Sequence, residues 1–419
     1  MDIQDMEQND MDKEEIYRKG VKNGILGTLL IFLLIAAAAG LILWTGARKT
    51  AKVGSNAPES IADENMMMKL NALEQLIDAY YYQDDVEPSA LEDGIYHGML
   101  EAIGDPYSCY YTEEELADLM EHTEGIYYGI GAYVGLDTAT GYPKIISAIP
   151  GTPAEEADLR PDDIIYEVNG ESVQGKDLDS VVAMIKGEEG TTVTLTIVRS
   201  TEPDYLHVDI ERRQVESPTI TSEMMENGMA YIQITEFSSV SVNQFAEALK
   251  TARESGMKGL IIDLRANPGG NLDAVVDIAR MLLPEGLVVY TEDKYGVREE
   301  YSCDGQQEFE LPLVVLVDRN SASASEVLAG AIKDYEIGTL VGTTTFGKGI
   351  VQQLVGLTDG SAVKITVSSY YSPKGNNIHG TGIEPDLVCE FDGEAYYNEG
   401  YDNQLEYAKE VLTEMIGQQ

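Results

Sequence analysis

Histidine and cysteine are scarce in this 419-residue chain, with four of the first and three of the second. No two of His97, His122, His207 and His379 stand at the H-E-x-x-H or a similar ligand spacing, so a zinc-peptidase motif is missing. A serine–histidine–acid triad needs one histidine within reach of a nucleophile. Only His379 falls in the C-terminal half that carries the nucleophile candidates, and it stays open as a rival base. Cys109, Cys303 and Cys389 are far apart and form no C-x-x-C pair, so no disulfide framework or Cys/His metal site is implied. Basic residues are few as well. The 28 Lys and Arg stand against 73 Asp and Glu, a formal net charge of -45, which argues against nucleic acid as a partner because phosphate binding relies on clustered cations. The 40 glycines follow no three-residue period, which sets a collagen-like chain aside.

What is present begins with a membrane-span candidate. No charged residue occurs from Asn23 to Ala47, and Ile25 to Trp44 is almost wholly apolar, about the 20 residues that cross a bilayer. The expected organisation is a cytoplasmic tail at 1–23, an anchor at 24–46 and a linker at 47–62. Arg18, Lys19 and Lys22 precede the span and Arg48, Lys49 and Lys52 follow it, a weak preference for a cytoplasmic N-terminus and an extracytoplasmic remainder. A cleaved signal peptide is the alternative, since Ala36 to Ala39 supply small residues, but Leu41 to Trp44 continue the apolar run past them.

After the linker the hydrophobic period changes twice. Leu70, Leu73, Leu76 and Ile77, then Leu91, Ile95 and Met99, recur at three and four, which predicts a helical domain over 63–122. Short β-rich runs such as Ile164–Val168 and Thr192–Val198, set between Gly, Pro and Asn turns, predict a mostly β module over 123–213. From 214 to 398 strand-like runs alternate with helical ones, as in Gly259–Leu264 followed by Asn271–Leu283, the pattern of βαβ units. An acidic amphipathic helix closes the chain at 399–419, with surface packing and self-association both open. The fold class expected is multidomain α+β.

Three segments carry candidate chemistry. Asn320-Ser-Ala-Ser-Ala-Ser-Glu326 lies where an apolar strand ends and a helix begins, a place where an oxyanion meets backbone N–H groups and a positive dipole end. Ser323-x-x-Glu326 also has the spacing of an ordinary capping box. In Thr345-Phe-Gly-Lys-Gly-Ile-Val-Gln352 a single lysine sits among apolar residues and glycines. Lysine works as a base only when neutral. Its pKa must then fall from about 10.4 by ~3 units, roughly 4 kcal/mol against the ammonium, which requires burial. Asp263-Leu-Arg-Ala-Asn-Pro-Gly-Gly270 ends in a glycine pair suited to donating N–H groups.

Two resemblances follow from these residues. Tyr128-Gly-Ile-Gly131, Gly151-Thr-Pro-Ala154, Arg160-Pro-Asp-Asp163 and Val168-Asn-Gly170, in that order, resemble a PDZ domain. That implies a peptide's terminal carboxylate captured by the loop of Tyr128, Gly129, Ile130 and Gly131 while the peptide adds as a strand. The three chemical segments, with Asp105-Pro-Tyr-Ser108 and Ile378-His-Gly-Thr-Gly-Ile-Glu-Pro-Asp386, resemble the C-terminal processing (tail-specific) serine peptidases.

The family resemblance implies a Ser-Lys pair with the base 25 positions after the nucleophile, hence Ser323 and Lys348 rather than Ser321 or Ser325. It further implies Gln352 as the residue orienting Lys348. Oxyanion donors would come from Ala324 and the Gly269–Gly270 pair, and the core would have a crotonase-like α/β fold. Neither metal nor cofactor is called for, and the partners implied are polypeptides with free C-terminal tails. The rival reading is a catalytically inactive, membrane-anchored PDZ adaptor.

Overall fold

The computed structural model describes residues 60–83, 86–138 and 140–418. The tail and anchor expected at 1–46 lie outside the described residues, among which no helix is long and apolar enough to cross a membrane. The chain divides into two units, residues 1–86 and 87–419. In the first, Asp63 caps the helix Glu64–Tyr80 by accepting from Met66 N at 2.8 Å.

The second unit opens with the helix Pro88–Glu101, whose first-turn proline is already set to a helical φ. The strand Cys109–Tyr111 and the helix Glu113–Glu124 follow. Thr112 and Glu115 close a capping box at that helix, the N3 amide donating to Thr112 Oγ1 and the Thr112 amide to Glu115 Oε2. The helical domain expected over 63–122 is therefore split. Its C-terminal part is drawn into the second unit because Cys109–Tyr111 pairs antiparallel with Ala362–Tyr371.

The β module is a sheet in the order Ala132–Leu136, Pro143–Ala148, Ile164–Val168, Thr192–Val198 and Leu206–Glu211, packed around Ile145, Ile165, Leu195 and Ile197. The helix Leu178–Ile185 turns Val181 and Ile185 onto that core. A separate ribbon pairs Ile126–Gly129 with Arg213–Glu216.

In the peptidase-like region one sheet runs Ile220–Met224, Met229–Ile234, Gly259–Asp263, Leu313–Val317, Thr339–Gly342 and Leu387–Val388, parallel from the second strand onward. Its central strands are buried on both faces, as their unbroken apolar runs require. Leu260, Ile262, Val315 and Val317 pack with the helices Ser241–Glu254, Leu272–Arg280 and Ala324–Tyr335. Ile261, Val314 and Leu316 point the other way, toward Ala408 and Leu412 of the C-terminal helix Asn403–Gly417. A second, antiparallel sheet joins Ala362–Tyr371 to Ile350–Gly356 on one side and to Cys109–Tyr111 and Gly286–Asp293 on the other. The cavity described next is walled by Ile350, Val351, Gln352 and Tyr370 of this second sheet and by loops and helix starts that follow strands of the first.

Candidate active site

The strand Leu313–Val317 ends in a turn that Asp318 holds, its Oδ1 accepting from the amides of Asn320 at 2.9 Å and Ser321 at 3.0 Å. Three serines follow, and two are consumed by the scaffold. Ser321 Oγ donates to Leu264 O at 2.8 Å and Ser325 Oγ to Asn267 O at 3.0 Å, and both side chains are fully buried. Ser323 is half-buried at the N-terminus of the helix Ala324–Tyr335, with φ 52° and ψ −112°. That backbone costs a non-glycine residue of order 1–3 kcal/mol and persists only where the surroundings over-determine it.

Those surroundings are the loop from Asp263 to Gly270. Asn267 is fully buried: its Nδ2 donates to Ile234 O and its own carbonyl accepts from Ala322 N. Glycine is required at 269 and 270. A Cβ on Gly269 (φ +102°) would stand 2.8 Å from Ser323 Cβ, and one on Gly270 (φ +138°) would stand 2.1 Å from Phe237 O. The Gly269 N–H is spent on Asn267 Oδ1 at 2.8 Å. Among the described residues the N–H groups of Gly270 and Ala324 have no partner, and both residues line one cavity of about 290 Å³ together with Ser323 and Lys348.

Lys348 reaches that cavity from the loop Thr343–Gly349. The loop is tied to the Ser323 turn by Glu326, a buried carboxylate that accepts from four donors. Oε2 takes the amides of Ser323 at 2.9 Å and Lys348 at 2.8 Å; Oε1 takes Gly347 N at 2.7 Å and Thr345 Oγ1 at 2.6 Å. One side chain thereby fixes the backbones of both chemical residues. Burial, and then the nearby Lys364 charge, push the Lys348 pKa below its ordinary value, against Asp105 and Glu326, which favour the ammonium. Nζ lies 4.7 Å from the Tyr107 ring centroid, and no hydrogen bond joins it to Ser323 among the described residues. Gln352 lines the same cavity, but its Nε2 donates to Thr366 Oγ1 at 3.2 Å rather than meeting Lys348. Tyr370, buried behind Ser323, donates its hydroxyl to Ser323 O at 3.0 Å.

Comparison with known proteins gives the family. Residues 228–389 match peptidase family S41, residues 144–199 a PDZ domain, and residues 34–115 the N-terminal domain of the activating protease CtpB. The carboxy-terminal processing protease CtpA of Bacillus subtilis is 34% identical over 363 residues, 86% of this chain and 76% of that protein. The chain belongs to peptidase family S41. A carboxyl-terminal-processing protease of Synechocystis is 36% identical over 296 residues, 70% of this chain and 69% of its own length. A putative S41 protease of Bacteroides fragilis has a similar solved fold, with a TM-score of 0.50 at 18% identity over 85% of this chain and 99% of that one.

Within this S41 serine protease, the PDZ domain has a groove of about 110 Å³ between the turn at 129–131 and the helix Leu178–Ile185. Gly129, Ile130 and Gly131 line it. Tyr128 does not: it is 43% exposed and points away, and its neighbour Tyr127 takes the place on the wall. Alternation along the strand Ile126–Gly129 puts successive side chains on opposite faces, so a one-residue offset reverses them. Lys186 closes the groove, pairing with Glu121 and lying 5.4 Å from the Tyr127 ring centroid. His379 is exposed and outside the cavity wall.

Two contributors escaped the motif reading: Glu326, visible only as a capping partner, and Tyr370, which arrives from a strand distant in sequence. Tyr107 stood inside the Asp105-Pro-Tyr-Ser108 motif with no role assigned to it.

Proposed function

We propose that this S41 protease is an endopeptidase that uses Ser323 as nucleophile and Lys348 as base. The observation that carries the reading is the shared cavity, in which Ser323, a lysine of lowered pKa and two unpaired N–H groups converge. Lys348, neutral, takes the Ser323 hydroxyl proton as Oγ attacks the scissile carbonyl carbon, and the N–H groups of Gly270 and Ala324 receive the oxyanion. The ammonium then returns that proton to the leaving amine, and water, deprotonated by the same lysine, hydrolyses the acyl-enzyme. Gln352, on the same cavity wall, orients Lys348 once its amide turns from Thr366 Oγ1.

The PDZ groove at Gly129 to Gly131 takes the free C-terminal tail of a polypeptide, which adds along the strand Ala132–Leu136. The segment 24–46 anchors the chain in a membrane, with residues 47–419 outside the cytoplasm. The test compares full-length wild type with Ser323→Ala and Lys348→Ala on an unfolded protein. A drop of roughly 10³-fold or more in both variants is expected. Undiminished cleavage in either would refute the pair, and binding of tails without cleavage by the wild type would favour the adaptor reading.

A further inference from the structure

Tyr107 has no part in the steps above, yet its ring is the group that Lys348 Nζ faces, at 4.7 Å from the centroid. The ring is set there by the Asp105–Ser108 turn. Tyr107 N donates to Asp105 Oδ1 at 3.0 Å and Ser108 Oγ to Asp105 Oδ2 at 2.6 Å. The same Ser108 Oγ accepts from Thr366 N at 3.0 Å, so the turn is clamped to the strand Ala362–Tyr371, the partner of the strand that starts just after Lys348. A rigid mount for one aromatic face beside one lysine is the result.

An aromatic face attracts a cation within about 6 Å and has no comparable attraction for a neutral amine. The observed station therefore suits ammonium, whereas a base must be amine. We propose that Tyr107 is a positioning residue for Lys348, holding its protonated form at a waiting place beside the ring until proton loss frees the side chain to reach Ser323. The inference rests on Lys348 being the base. It makes the Asp105-Pro-Tyr-Ser108 turn part of the catalytic apparatus rather than a structural joint.

The other charged groups around Lys348 are Asp105 from the same turn, Glu326 from the helix Ala324–Tyr335, and Lys364 from the strand Ala362–Tyr371. Lys364 Nζ donates to Tyr111 OH at 2.8 Å, which keeps that cation in place. Tyr107 acts in the same direction as Asp105 and Glu326, toward ammonium, and against burial and Lys364. Removing the ring disfavours the ammonium relative to the amine, so the pKa of Lys348 falls and the acid limb of activity moves to lower pH. The expected displacement is roughly half a pH unit to one unit.

The experiment uses full-length wild type, Tyr107→Phe, and two ring-free variants, Tyr107→Leu and Tyr107→Met. One readout is the pH dependence of kcat/KM on an unfolded protein. The other is the pH dependence of Lys348 acylation by acetic anhydride, measured by mass spectrometry, which needs no catalysis. Tyr107→Phe should superimpose on wild type, and whichever ring-free variant folds should titrate lower by about half a unit or more in both readouts. Lys348 titrating at or above the wild-type pH in a folded ring-free variant would overturn the proposal, as would a Phe variant that behaves like Leu. Failure of the base reading looks different: hydrolysis would survive Lys348→Ala, whatever acylation shows.

Discussion

At the scale of single residues, the run of three serines separates by what each hydroxyl touches. Ser321 and Ser325 give theirs to the carbonyls of Leu264 and Asn267, in positions fully buried from solvent. Replacing Ser321 by Ala leaves the Asp318 amide, which donates to Ser321 Oγ at 2.9 Å, without that acceptor, and leaves Leu264 O with the Asn267 amide at 3.2 Å alone. A loss of about 1–3 kcal/mol in the urea-unfolding free energy of the core is expected, with hydrolysis retained in the folded fraction. Ser323→Gly should do the reverse, raising stability by about 1 kcal/mol over Ser323→Ala because glycine accepts a φ of 52°, while both variants are inactive. Equal stability of those two variants would show that the turn is unstrained. Glu326→Gln puts an amide donor against amide donors at Ser323, Gly347 and Lys348, so it should cost about 2–4 kcal/mol and lower activity in proportion to misplaced backbone.

At the scale of elements, the residues of the proposed catalytic pair and oxyanion site stand where strands run out. Leu313–Val317 delivers Ser323, Gly259–Asp263 delivers the glycine pair, and the loop after Thr339–Gly342 delivers Lys348. Three neighbouring parallel strands end on one edge, which is where such sheets collect ligands. Placing the lysine there has a consequence for stability. Its folded pKa is depressed, chiefly by burial, so between that value and the ordinary one of about 10.4 the unfolded chain holds a proton the folded chain lacks. Stability from this group therefore rises with pH through that window, and the penalty is present in full below it. Lys348→Met should be inactive yet at least as stable as wild type at neutral pH, with the difference shrinking as pH rises toward 10. A variant less stable than wild type at pH 7 would mean the ammonium is favourably held. Element boundaries were legible to within a few residues: the run read as Gly259–Leu264 is the strand Gly259–Asp263, and the one read as Asn271–Leu283 is the helix Leu272–Arg280. The split of the helical segment was not legible, because a three-residue strand, Cys109–Tyr111, has no period to read.

At the scale of the whole second unit, the C-terminal helix is bolted to the loop that ends in the glycine pair. Arg265 holds Asp402 through two bonds, at 2.9 and 2.8 Å, and Asp263 at 2.6 Å, and Tyr231 OH donates to Asp263 Oδ2 at 2.9 Å. Asp402 also caps the helix Asn403–Gly417. Burial opposes its ionisation, but Arg265 and the cap amides more than offset that and lower its pKa. A depressed carboxyl contributes stability that is present above its unfolded pKa of about 3.9 and lost as pH falls through the folded value. Asp402→Asn should therefore weaken the unit at neutral pH and flatten its acid unfolding below about pH 4. Acid unfolding identical to wild type, followed by circular dichroism, would exclude the pair as a contributor. The last helix was legible as amphipathic. Its docking on the sheet opposite the Ser323 helix was not, because surface packing and self-association demand the same pattern.

By itself the sequence determined the residue types and their order: which serine and lysine stand 25 apart, the glycine pair, the PDZ-like turns and the family they indicate. Chain spacing suffices for that, since local motifs survive as linear patterns. Only the tertiary structure decided that Gly270 rather than Gly269 keeps a free N–H, that Tyr127 rather than Tyr128 lines the PDZ groove, and that Glu326 and Tyr107 flank Lys348. Each of these depends on which hydrogen-bond partner or face a side chain meets across the fold. Such a meeting is set by packing between distant segments, and sequence separation carries no trace of it.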